Sequence, residues 1–83
     1  MGEIIVRADF YPNGSIIPLG FTNNQGATFY IKKIMKTTIL SNEPYSVRYE
    51  CAVGGKTKQI ELIGNRWFIT DTDITDIDKE YNK

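Results

Sequence analysis

One thiol, Cys51, and no histidine set the limits of the chemistry these 83 residues can attempt. Without an imidazole there is no usual general base, and the commonest transition-metal ligand is missing, as are the Ser–His and Cys–His pairs. A lone cysteine allows no intrachain disulfide and no cysteine-based zinc ribbon or finger. A neighbouring cation stabilises a thiolate, and Lys58 is expected to face Cys51. Nothing else supports a nucleophile there, so a small buried packing residue is the favoured reading. Asp9 and Glu61 could do acid–base work only if the fold set them side by side. The expectation is a protein that is not an enzyme and uses no cofactor and no metal.

Two charged stretches invite other chemistry. Asp71-Thr72-Asp73-Ile74-Thr75-Asp76 has the acidic start of a calcium loop, but an EF-hand needs Gly at its sixth position and Glu at its twelfth. Asp76 and Asn82 stand there instead, and a solvated acidic tail is favoured. The basic residues Lys32, Lys33, Lys36, Arg48, Lys56, Lys58 and Arg66 form the second group. Small barrels bind single strands with cations for phosphates and aromatic rings for base stacking. On that logic the candidate binding face is Tyr30, Lys32, Lys36, Arg48, Lys56, Arg66 and Phe68. Residues 1–70 carry eight Lys/Arg against five Asp/Glu, a net +3, and residues 71–83 carry −3. So small an excess is far from the basic balance of most nucleic-acid binders, and a solvated face is favoured. Trp67 reads as core, Phe68 and Tyr45 as surface. Gly54-Gly55 is turn chemistry and no phosphate cradle, because no helix follows it.

The strands that must carry these groups are clearest in residues 45–70. Val47, Tyr49, Cys51 and Val53 alternate with Arg48, Glu50 and Ala52, the period of a half-buried strand. Gly54-Gly55 can take positive φ at both positions, as a type I′ turn requires. That turn puts Val53 opposite Lys56, Cys51 opposite Lys58, Tyr49 opposite Ile60 and Val47 opposite Leu62. Arg48 then meets Glu61 on the other face, an opposite-charge cross-strand pair. A second turn at Gly64-Asn65 sets Leu62 against Trp67 and Ile60 against Ile69. The three strands share one apolar face: Val47, Tyr49, Ile60, Leu62, Trp67 and Ile69. Lys58 interrupts it near the hairpin end, where its stem can lie along apolar surface while the amine reaches water.

Upstream, residues 3–11 alternate as a first strand, and Asn13-Gly14 is a strong hairpin signal. A two-residue turn there pairs Phe10 with Ile17, Ala8 with Leu19, Val6 with Phe21 and Asp9 with Pro18. Pro18 marks the outer side of the second strand as an edge, a bulge or a bend. Asn23-Asn24-Gln25-Gly26 is turn-rich, with Gly26 suited to a left-handed position. Residues 27–40 are heavily β-branched and read as one long strand kinked near Lys32-Lys33. Residues 41–44 form a loop. Past Thr70 the apolar pattern ends, and the acidic segment reads as a flexible tail or a short helix through Ile74, Ile77 and Tyr81. A tail of −3 beside a body of +3 should lie loosely over the basic face and compete with anionic ligands.

Five main strands with tight turns suggest an all-β fold, a small antiparallel, partly open five-stranded barrel of SH3-like or OB-like type over residues 1–70. Residues 71–83 are set apart as the acidic tail. Hydrophobic content of 41% and aromatic content of 12% argue against a wholly disordered chain. No apolar run approaches the ~20 residues that span a bilayer, and residues 1–10 lack the apolar segment of a signal peptide. A cytoplasmic location away from membranes is therefore expected.

Val6-Arg7-Ala8-Asp9-Phe10-Tyr11-Pro12-Asn13-Gly14-Ser15-Ile16-Ile17-Pro18-Leu19, Ile31-Lys32-Lys33-Ile34 and Arg66-Trp67-Phe68-Ile69 resemble a family of small bacterial proteins of unknown function. The likeness spans residues 5–70, with the first block the most specific. It departs in the Asn23-Asn24-Gln25 loop, where the family has an aromatic and acidic residues. The resemblance implies a bacterial origin and a stand-alone small fold, and it implies nothing chemical. The functional expectation is a binding module for another protein or for itself, with the Pro18 strand as an edge for strand addition. A barrel that binds nucleic acid weakly through its basic outer face is the alternative.

Overall fold

A computed structural model describes residues 2–70; the expectations for residues 71–83, a flexible or helical tail and its cover over the basic face, lie outside the described residues. The described chain is all β. Its strands are β1 (Gly2–Phe10), β2 (Ile16–Thr22), β3 (Thr28–Tyr30), β4 (Lys33–Asn42), β5 (Tyr45–Val53), β6 (Lys56–Ile63) and β7 (Arg66–Ile69). All pairings are antiparallel, in the order β3-β2-β1-β7-β6-β5-β4. No helix among the described residues is long and apolar enough to cross a membrane.

Seven strands replace the five main strands expected. Residues 66–69, expected as the third strand of the meander, pair with β6 on one side and with β1 on the other. The kinked strand, in turn, divides at Ile31-Lys32. There the Ile31 N–H donates to the Leu19 carbonyl and the Lys32 N–H to the Ala52 carbonyl, both at 2.9 Å. Successive amides thus bond to opposite ends of the sheet, β2 and β5, and the sheet curls into a half-barrel.

The meander β5-β6-β7 has the register its alternation dictates. Tyr49 faces Ile60, Val47 faces Leu62, Cys51 faces Lys58, Leu62 faces Trp67 and Ile60 faces Ile69. Gly54 and Gly55 have φ of 57° and 80°, which a side chain at either position would disfavour. Val47, Tyr49, Cys51, Val53, Ile60 and Leu62 are buried on the concave side with Ile4 and Phe21, and Trp67 and Ile69 pack against them half-buried.

The first hairpin differs from expectation near its turn. Its loop holds three residues, Pro12-Asn13-Gly14. The Tyr11 N–H donates to the Ser15 carbonyl and the Gly14 N–H to the Tyr11 carbonyl, while Asn13 Oδ1 accepts from the Ser15 N–H. Pro12 suits the second position of a type I turn, and Gly14, at φ 92°, supplies the left-handed residue that closes it. The extra residue moves the pairs to Phe10–Ile16, Asp9–Ile17 and Ala8–Pro18. A bulge at Leu19 then restores Val6 opposite Phe21. As a result Phe10 and Leu19 are exposed, and Pro18 is fully buried.

Gly20 shows why β3 can lie so close. Arg7, Gly20 and Tyr30 stand in one cross-strand row, and the Arg7 guanidinium reaches across the glycine to lie 5.9 Å from the Tyr30 ring centroid. A Cβ on Gly20 would stand 2.8 Å from the Phe29 carbonyl oxygen and 2.9 Å from Arg7 Nη2. The arginine tip could move, but the backbone oxygen could not. β3 therefore pairs with the outer side of β2 over Gly20–Thr22, and beside Pro18 the strand bulges at Leu19, one of the three outcomes expected there.

Candidate interaction surface

The sheet ends in β3, three residues long, and in β4, which is the long edge. Among the described residues it pairs only with β5 and lies at the end of the strand order, ten residues long. Met35 and Leu40 are bulges in its pairing, so its phase slips twice. Met35 is 54% exposed and Ile39 63% exposed, with Leu40 and Tyr45 also open to solvent. Its charges are Lys33 and Lys36, and it carries no acidic side chain. A long edge strand with apolar side chains is a template for a further strand.

The seven residues expected to form one binding face do not come together as one. Lys36, Arg48, Arg66 and Phe68 share the convex side, where the pairings run Lys36–Glu50, Thr38–Arg48–Glu61–Phe68–Glu3 and Ile63–Arg66. Tyr30 lies on β3 under Arg7, and Lys32 sits at the bend between the two ends of the sheet. Lys56 borders a cavity on the concave side, opposite Val53.

The arginines of that convex side are engaged with carboxylates. Arg48 Nε donates to Glu61 Oε2 at 3.0 Å, and the Glu61 side chain is only 9% exposed. Arg66 grips Glu3 with two bonds, Nε to Oε2 at 2.9 Å and Nη2 to Oε1 at 2.7 Å, and its guanidinium lies 5.7 Å from the Phe68 ring centroid. These bonds hold the Glu3 carboxyl below its ordinary pKa. Sequence reading anticipated the Arg48–Glu61 pair. It missed Glu3–Arg66, because nothing local announces that β1 lies beside β7.

Asp9 and Glu61 are not brought side by side. The cross-strand row of Glu61 reaches β1 at Glu3, whereas Asp9 lies far along β1 against Ile17. Cys51 is fully buried on the concave side. Burial, and then Glu50, push its thiol up to about 12, opposite to what a reactive thiolate needs. No three His, Cys, Asp or Glu side chains gather among the described residues as metal ligands do.

Tyr49 resists ionisation in the same way. Burial first, then Tyr45 and Cys51, raise its hydroxyl from 10.0 to about 12. Both groups keep their protons in the folded chain at pH values where the unfolded chain releases them. Their contribution to stability is complete below pH 9 and is lost as the pH rises toward 12. Urea midpoints measured across that window should therefore fall, and Cys51 should react with a thiol reagent only as the chain unfolds. A flat alkaline profile with rapid native labelling would contradict this burial.

Comparison of the chain with known proteins gave no matching family model, no matching curated protein and no matching solved structure. Fold and surface geometry are thus the basis for a functional reading.

Proposed function

We propose that this protein is a non-catalytic interaction module, a small β-barrel of SH3-like or OB-like kind, that binds a polypeptide by strand addition to β4. The polypeptide is another protein or a second copy of the chain. A bacterial, cytoplasmic setting belongs to the same proposal. The observation that carries it is the ten-residue edge strand with Met35 and Ile39 more than half exposed. Main-chain hydrogen bonds along such an edge provide affinity, and the alternating side chains provide selectivity. The lysines of β4 favour a partner strand with acidic side chains.

The buried, proton-holding Cys51 and the separated Asp9 and Glu61 support the non-catalytic part. The alternative, nucleic-acid binding through the convex basic face, is weakened because Arg48 and Arg66 already serve Glu61 and Glu3.

Sedimentation velocity over a wide concentration range, with the Ile39→Lys variant beside the native chain, tests the reading. An exposed lysine on an edge strand blocks further pairing and costs the fold little. The native chain should show concentration-dependent association, or bind an acidic extended peptide, and Ile39→Lys should do neither. A native chain that stays monomeric, ignores such peptides and binds oligonucleotides in a salt-sensitive way would favour the alternative.

A further inference from the structure

At Ile31-Lys32 the chain crosses between two separately paired units. Residues 2–30 make the β1-β2-β3 unit, and residues 33–69 make the β4-β5-β6-β7 unit. Among the described residues, the contacts between them are compact. β1 meets β7 over Gly2–Ile69, Glu3–Phe68 and Ile4–Trp67. Arg66 holds Glu3, and the Tyr49 hydroxyl donates to the Ile16 carbonyl. Ile4 and Phe21 join the core built on the second unit.

The crossing has no slack. Two residues separate β3 from β4, and both amides are engaged, Ile31 with Leu19 of the first unit and Lys32 with Ala52 of the second. The residues around it are strand formers. Thr28, Ile31, Ile34, Thr37 and Thr38 are β-branched, and an extended backbone suits them better than a bend. A two-residue hinge inside such a run invites exchange of a unit between copies, because straightening it continues one strand into the next.

We infer that two copies of this chain form a domain-swapped dimer, in which the hinge straightens, β3 runs into β4 as one strand, and each 2–30 unit packs on the other copy's meander. Every contact between the units is then remade across the two chains: β1 on β7, Glu3 on Arg66 and Tyr49 on Ile16. The two forms therefore differ in the hinge and in the entropy of association. Within one chain the units meet at an effective concentration in the millimolar range, so the closed monomer prevails in dilute solution. Exchange requires the units to come apart, so the dimer forms when chains refold together at high concentration and not when folded chains are concentrated. Strand addition at β4 is a separate contact, which leaves β1 and β7 paired within each chain.

Oxidation of the Glu3→Cys/Phe68→Cys variant reads that difference. Glu3 and Phe68 face each other across β1 and β7, within disulfide reach, and Cys51 is buried. The variant is refolded from urea at dilute and at millimolar concentration, separated by size, oxidised and run on a denaturing gel without reductant. Dilute refolding should give monomers bridged within one chain. Concentrated refolding should give dimers bridged between chains, which persist on dilution. Removing Lys32 tightens the crossing and should raise the dimer share about tenfold, and inserting Gly-Ser-Gly after Lys32 should lower it by about as much. Ile39→Lys should change neither result, which separates the swap from the β4 edge. Dimers bridged within each chain, or concentrated refolding that yields monomer alone, would overturn the inference. So would a lengthened hinge that dimerises as well as the native one, a comparison that stands even where the shortened chain fails to fold.

Discussion

Replacing Tyr49 by alanine is expected to cost about 3–5 kcal/mol, the range for removing a large buried ring. The side chain is 2% exposed, stacks on Trp67 with centroids 5.8 Å apart, and donates its hydroxyl proton to the Ile16 carbonyl at 2.7 Å. That last bond joins the meander to the first hairpin across the concave side. Chains of this size have only about 4–12 kcal/mol to lose, so Tyr49→Ala should remove a large share of the stability and shift the urea midpoint far down. Tyr49→Phe keeps the ring and orphans the Ile16 carbonyl, for a loss of about 1–2 kcal/mol. Urea melts followed by the fluorescence of Trp67 give both values. Equal, small losses would mean that the ring does not hold the two halves together.

The second large effect is expected at Arg48. Glu61 sits on the convex side of a central strand, yet it is buried, between Arg48 on β5 and Phe68 on β7. Arg48→Met leaves its carboxylate without the guanidinium while the surroundings stay dry. A fully buried pair broken this way loses about 3–5 kcal/mol. The Arg48 side chain is 37% exposed, so water screens part of the loss and about 2–3 kcal/mol is expected. Pairing it with Glu61→Leu should recover most of that, because both charges then leave together. A double variant as unstable as Arg48→Met alone would mean that packing by the arginine stem, and not its charge, is what counts.

What the sequence reveals of this fold is what short-range pattern encodes. The meander is legible because its alternation is clean and its turns, Gly54-Gly55 and Gly64-Asn65, admit few geometries. The first hairpin is legible as a hairpin but not in register. Pro12 ahead of Asn13-Gly14 favours a type I turn closed by Gly14, and the compensating bulge at Leu19 falls beside Pro18, which marks an edge, a bulge or a bend without choosing among them. The β1–β7 pairing is not legible at all, since residues 2 and 69 meet only through the closure of the sheet. That pairing decides which strand is left at the edge. Pro18 pointed to β2, whereas β3 pairs with Gly20–Thr22 of that strand and β4 is the long edge of the sheet. Likewise, the basic residues look like one face in the sequence. In space, strand order gives Arg48 and Arg66 to neighbouring carboxylates and turns Lys56 to the concave side.

Strand addition at β4 has a direct test in amide hydrogen exchange of residues 33–42, measured as protein concentration rises or an acidic extended peptide is added. Along an edge strand alternate amides point outward without a partner strand and exchange quickly. The account predicts that those alternate amides of β4 become protected as association proceeds, in step with the fraction of chain bound, and that they stay fast in Ile39→Lys. Association that leaves β4 exchange unchanged and protects amides elsewhere would contradict it.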